Sequence, residues 1–192
     1  MTPRLLLGSG LLFGLSVCAA GCASSTASPP PSAGRPTASP AVLAGPPVSY
    51  AWTDLRGRPI STEAMAGRIT VIGFIATYDV LCQAQVRFLE NLHREHVPRV
   101  NVAVVVLEAP ENKPMVQAFV DALELPFPVA MADPATIRGE GPFAGLHHVP
   151  AIVVLDRDGR ERLRHVGALD RQGLEDAVVK VEIGAGLKKG LP

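Results

Sequence analysis

Of the residues in this 192-residue chain that do more than pack, three cysteines and five histidines stand out, and their spacing decides what each can do. Cys82 closes the stretch Phe74-Ile-Ala-Thr-Tyr-Asp-Val-Leu-Cys82, in which an apolar run meets an amphipathic one, and Asp79 stands three residues before it. In the first turn of a helix the macrodipole favours a thiolate, whereas a neighbouring carboxylate and burial on an apolar stripe favour the neutral thiol. Two of these three influences point to an inert sulfur. The same spacing lets Asp79 accept from the backbone N–H of residue 82 as a helix N-cap. A structural cap beside a core cysteine and a single reactive thiol are both open from these residues alone.

The other two cysteines lie near the start of the chain. Arg4 precedes a mostly apolar run from Leu5 to Ala20, which ends in Ala19-Ala20-Gly21-Cys22, the layout of a secretory signal with small residues before the cut. The run is short for a membrane-spanning helix. This stretch resembles the lipobox of bacterial lipoproteins, with Ala19 where that motif usually has leucine. The resemblance implies acylation of Cys22, its exposure as the mature N-terminus, and a lipid anchor at the cell envelope on the extracytoplasmic side. With Cys18 removed and Cys22 acylated, Cys82 is the one free thiol of the mature chain and no internal disulfide is available.

The elements that must position Cys82 follow from composition and periodicity. The chain is 47% hydrophobic with 18 basic and 18 acidic residues, which suits a globular protein and argues against a general nucleic-acid binder. Residues 1–21 read as the signal. Residues 22–47 carry seven prolines among Ala, Ser, Thr and Gly with no aromatic residue, and read as a polyproline-rich tether. The domain is expected over 48–183, with a frayed tail over 184–192.

Within that domain Tyr50 to Ile60 reads as a hairpin turning at Arg56-Gly57, and Ile69 to Ala76 as a strand buried on both faces. Leu81, Cys82, Val86, Leu89 and Leu92 recur at steps of three and four, which predicts a helix from Val80 to about Glu95. Val100 to Leu107 is a second buried strand, so the three elements form a right-handed βαβ unit. A helix over Pro114 to Leu123, an extended piece at Phe127 to Ala130 and a helix start at Asp133-Pro134 follow. A strand from Ala151 to Leu155, a turn at Asp158-Gly159, a return strand from Glu161 to Val166 and a last helix capped by Asp170 complete the order.

This order, with Thr53-Asp54-Leu55-Arg56-Gly57-Arg58-Pro59-Ile60, Phe74-Ile75-Ala76-Thr77-Tyr78, Val149-Pro150, Leu155-Asp156-Arg157-Asp158-Gly159 and His165-Val166-Gly167, resembles the TlpA-like thiol-disulfide oxidoreductases of the thioredoxin and peroxiredoxin superfamily. The resemblance implies an α/β thioredoxin-like sandwich, a central mixed sheet with an N-terminal hairpin and flanking helices. It also implies a cis Val149-Pro150 bond lying against the corner, and it calls for no cofactor. The family's Cys-x-x-Cys corresponds here to Asp79-Val80-Leu81-Cys82. Asp79 therefore stands where the attacking thiolate belongs, and it can neither attack a disulfide nor be released from one.

Three uses of the corner follow. Cys82 aligns with a position that peroxiredoxin-like relatives use for a peroxide-attacking thiol. Cys82, His147 and His148 offer thiolate and imidazole for copper or zinc, as in the similar copper-delivering Sco family. The third use needs no reactive sulfur: a redox-silent module binding an extracytoplasmic protein or peptide through Tyr78, Val149 and Pro150. Glu90 and His93 have the spacing of half a carboxylate-bridged metal site without a second copy, and no phosphate-loop or dinucleotide glycine pattern is present.

Overall fold

A computed structural model describes the backbone of residues 41–42 and 45–189; the predicted signal, the acylation site at Cys22 and most of the predicted tether lie outside the described residues. In chain order the strands are β1 (Ala41–Val42), β2 (Ala51–Thr53), β3 (Pro59–Ser61), β4 (Ile69–Ile75), β5 (Val100–Val106), β6 (Val129–Met131), β7 (Ala151–Leu155) and β8 (Glu161–Val166). The helices are α1 (Val80–His96), α2 (Lys113–Ala122), α3 (Pro134–Ile137) and α4 (Arg171–Lys189), with 3₁₀ turns at Pro110–Asn112 and Gly141–Phe143.

Six strands form one mixed sheet in the order β1-β8-β7-β4-β5-β6. β4 and β5, the two β-branched runs, pair in parallel from Ile69↔Val100 to Ile75↔Val106, and β7 lies antiparallel on the other side of β4. Every residue of β4, β5 and β7 is buried, as a strand covered on both faces requires. Alternate residues serve two cores. Val71, Val102, Val104, Ile152 and Val154 meet Val86, Leu89 and Leu92 of α1, Val116 and Val120 of α2, and Leu174 and Val178 of α4. Ile72, Phe74, Val105, Val153 and Leu155 meet Tyr50, Trp52, Ile60, Phe143 and Leu146 on the other face. There Trp52 stacks on Phe143 with ring centroids 5.8 Å apart.

Gly73 in β4 sets how closely α1 approaches, since a Cβ there would stand 2.7 Å from Leu89 Cδ1. The helix that carries Cys82 thus rests directly on the sheet backbone. β2 and β3 form their own two-stranded sheet and join the edge of the main one through the Asp54↔Ala130 bridge and the Leu55 N–H to Val129 carbonyl bond of 2.9 Å.

Two boundaries differ from the sequence reading. The sheet reaches back into the segment read as tether: Ala41–Val42 pairs with Arg164 and Leu163 of β8, and Pro47 bridges Arg160. The outer edge of β8 offers unpaired backbone groups, and even a proline-flanked Ala-Val pair satisfies some of them. At the other end α4 continues past Gly184, where a tail was expected, to Lys189. Gly184 and Gly186 each cost a helix only about 1 kcal/mol and do not have to stop it.

Candidate functional site

β4 ends at Ile75, and Ala76 to Asp79 turns the chain into α1. Asp79 is the N-cap that its spacing predicts: its backbone is extended, its Oδ1 accepts from the Cys82 N–H at 2.8 Å, and its carbonyl accepts from Gln83 N–H at 3.0 Å. Cys82 is 0% exposed, and its Sγ accepts from the Ala76 N–H at 3.3 Å. Burial pushes the Cys82 thiol up to about 12; the Ala76 hydrogen bond opposes the rise, while the Asp79 and Glu108 carboxylates add to it. It is the only free cysteine among the described residues.

Glu108, which the sequence reading did not single out, braces this corner from the next strand. It follows β5, is buried, and its Oε1 accepts from both the Thr77 N–H at 2.5 Å and the Thr77 hydroxyl at 2.7 Å. Its Oε2 accepts from Asn112 Nδ2 at 3.0 Å. A carboxylate taking three donors satisfies groups that β4 leaves behind when it stops pairing. The signal available in sequence was an acidic residue directly behind the mostly apolar run from Val100 to Leu107. Gln85, one turn along α1, is also fully buried: its Oε1 accepts from Leu169 N–H at 2.7 Å, and its Nε2 has no partner among the described residues.

The proline loop lies at the same end of the sheet. The Val149–Pro150 bond is cis, as the resemblance implied, and Val97–Pro98 is a second cis bond. Pro150 is buried, its carbonyl accepts from Gly167 N–H at 2.8 Å, and the next residue, Ala151, pairs with Phe74 of β4 and Val166 of β8. Val149 is half-buried, and its N–H and C=O have no hydrogen-bond partner among the described residues. Around the corner and loop, Tyr78 is 72% exposed, Val80 77%, Leu81 41% and Val166 44%. Three large apolar side chains of the corner, Tyr78, Val80 and Leu81, thus face solvent while its sulfur does not.

The metal-ligating reading fares differently. His147 and His148 are both exposed, and the His147 ring occupies the space that a side chain on Gly139 would fill. Among the described residues no group of three or more His, Cys, Asp and Glu side chains is arranged to hold a metal ion. Glu90 pairs with Arg87 at 3.1 Å on the helix surface, while His93 packs edge-on to Phe127 at 5.9 Å and burial lowers its pKa. Glu90 is accounted for by its ion pair, and His93 by its packing, with its buried Nδ1 lacking a partner among the described residues.

The chain is similar to known thiol-disulfide proteins over most of its length. It is 25% identical to the thiol-disulfide oxidoreductase ResA of Bacillus anthracis over 133 residues, covering 69% of this chain and 75% of that protein. A DsbF homologue from Corynebacterium diphtheriae superposes with a TM-score of 0.64 at 17% identity, over 78% of this chain and 96% of that one. The exposed lipoprotein thioredoxin Etrx1 of Streptococcus pneumoniae superposes with a TM-score of 0.59 at 14% identity, over 69% and 98%. These superpositions match the mixed sheet flanked by helices and identify the fold as thioredoxin-like. Within this sequence the Redoxin family model matches residues 40–180. That span takes in β1 through most of α4, so the chain belongs to the Redoxin family.

Proposed function

We propose that this chain is a redox-silent member of its thiol-disulfide family, which binds an extended segment of an extracytoplasmic protein at the Tyr78–Cys82 corner and the Val149–Pro150 loop. The observation that carries the reading is the placement of Cys82 at 0% exposure beneath exposed Tyr78, Val80 and Leu81. Disulfide exchange starts from an accessible thiolate and, in a two-cysteine enzyme, needs a second thiol to release the mixed disulfide. A thiol at about 12 supplies almost no thiolate near neutral pH, and Asp79 occupies the position of the attacking sulfur. What the corner retains is a surface: apolar side chains beside an unpaired backbone N–H and C=O at Val149, the pairing that strand addition uses.

The same proposal places the domain outside the cytoplasm, held by an acylated Cys22. It is supported by the Arg4, apolar run and Ala19-Ala20-Gly21-Cys22 order, and by likeness to a pneumococcal exposed lipoprotein. Among the described residues no helix is long and apolar enough to cross a membrane. Capture of envelope proteins on immobilised protein tests the reading. Bound partners should survive Cys82→Ala and be lost with a Tyr78→Ser, Val80→Ser double variant; partners released by Cys82→Ala or by reductant would overturn it.

A further inference from the structure

The end of the sheet that carries the corner gathers carboxylates that have no ion-pair partner among the described residues. β4, β5 and β6 run parallel, and β8 is antiparallel to β7, which is antiparallel to β4, so all four point their C-terminal ends the same way. Each is followed by a carboxylate: Asp79 after β4, Glu108 and Glu111 after β5, Asp133 after β6 and Asp170 after β8. No ion pair among the described residues includes any of these five.

Their hydrogen-bond partners are neutral donors. Asp79 and Asp170 take helix N–H groups at 2.8 Å, Asp133 takes two N–H groups, the Thr136 hydroxyl and the Trp52 indole, and Glu108 takes Thr77 and Asn112. Of the basic side chains in these turns, Arg138 pairs with Glu140 at 2.8 Å and also lies in the field of Asp133, Arg171 pairs with Glu95 at 2.8 Å, and Lys113 has no ion pair among the described residues. The exposed apolar side chains of the corner, Tyr78, Val80 and Leu81, therefore sit at an end of the sheet where carboxylates outnumber cations.

We infer that the occupant of this surface is an extended segment of a partner protein in which an apolar residue is flanked by lysine or arginine. The inference rests on the peptide-binding reading above and adds the chemistry of the partner. The apolar side chain covers Tyr78 and Val80, the segment's backbone pairs with Val149, and its cations lie toward Asp79 and Glu111. Complementary charge of this kind raises the encounter rate and rejects acidic segments more than it deepens the contact.

Selection from a displayed library of random dodecapeptides on the immobilised domain, with counter-selection on the Tyr78→Ser, Val80→Ser double variant, tests it. Retained peptides should be enriched in Lys and Arg over Asp and Glu, next to an apolar residue. A synthetic Lys-flanked peptide should bind about tenfold tighter than its Glu-flanked counterpart at low salt, with the gap narrowing at physiological ionic strength. Glu111→Lys should shrink that gap. Peptides that depend on Tyr78 and Val80 but show no charge preference, or an acidic one, overturn this inference and leave the peptide-binding reading standing. Absence of any peptide that depends on those side chains overturns both, as does a dimer of this chain that the double variant abolishes.

Discussion

Alkylation of Cys82 with iodoacetamide, followed by mass spectrometry in the native state and in concentrated guanidinium, measures the property on which the functional reading turns. At about pH 7.5 an ordinary thiol of pKa about 8.5 is roughly 10% thiolate. A thiol at about 12 has roughly three thousandfold less. The more basic thiolate is intrinsically the better nucleophile, which with a Brønsted slope of about 0.4–0.5 recovers roughly fortyfold. Ionisation alone therefore slows native labelling by roughly a hundredfold. Burial of the sulfur adds to that, because the reagent reaches it only when the corner opens. A native rate within about tenfold of the denatured rate, or a native profile that levels off with a midpoint below about pH 9, refutes the argument.

The same thiol links stability to alkaline pH, with a definite sign. The folded pKa lies above the unfolded one, so below about pH 8 both states hold the proton and the contribution is complete. As pH rises from about 9 toward 12 the unfolded chain releases its proton first, and stability falls by about 1.4 kcal/mol per pH unit. Burial raises the Tyr50 phenol as well, so the comparison to make is wild type against Cys82→Ala, whose alkaline slope in urea melts should be shallower.

Three further outcomes follow from the site. Asp79→Ala removes the cap on the Cys82 N–H and should cost about 1 kcal/mol in chemical denaturation while speeding native alkylation, because the carboxylate that raises the thiol pKa is gone. Glu108→Ala leaves the buried Thr77 N–H and hydroxyl without an acceptor and should cost about 2–4 kcal/mol, with the extra amide exchange concentrated at Ala76 to Thr77. In acid, burial alone would raise the pKa of Asp54, but hydrogen bonds from Arg58 and Arg56 outweigh it; in Asp133, bonds from Thr136, Trp52 and Ala135 do the same. Both folded pKa values are depressed, so their contribution is complete above about pH 4 and is lost as pH falls through the folded values; Asp133→Asn should flatten that acid limb of the urea-midpoint profile.

The corner was legible in sequence where its determinants are local. Apolar β-branched runs specified β4, β5 and β7, the three- and four-residue steps specified α1, and Asp79 three residues before Cys82 specified the cap. The brace was not legible, since Glu108 acts on Thr77 from 31 residues away and an acid after a strand is ordinarily a solvated turn residue. Edge pairing was missed for a related reason: Ala41–Val42 has no strand signal of its own, and it is ordered by the open side of β8. The acidic end was equally hidden, because its carboxylates come from four separate turns that only the parallel direction of the strands gathers together.

On the redox-silent reading proposed above, a corner fastened by the Glu108–Thr77 clamp, rather than by a bond between two sulfurs, has one covalent form. A dithiol site changes its shape and polarity as the surrounding thiol poise shifts, and so presents different faces to its partners in reducing and oxidising surroundings. On the same proposal, the clamp offers the same face in both, and the occupancy of the corner follows concentration and charge, independent of electron supply.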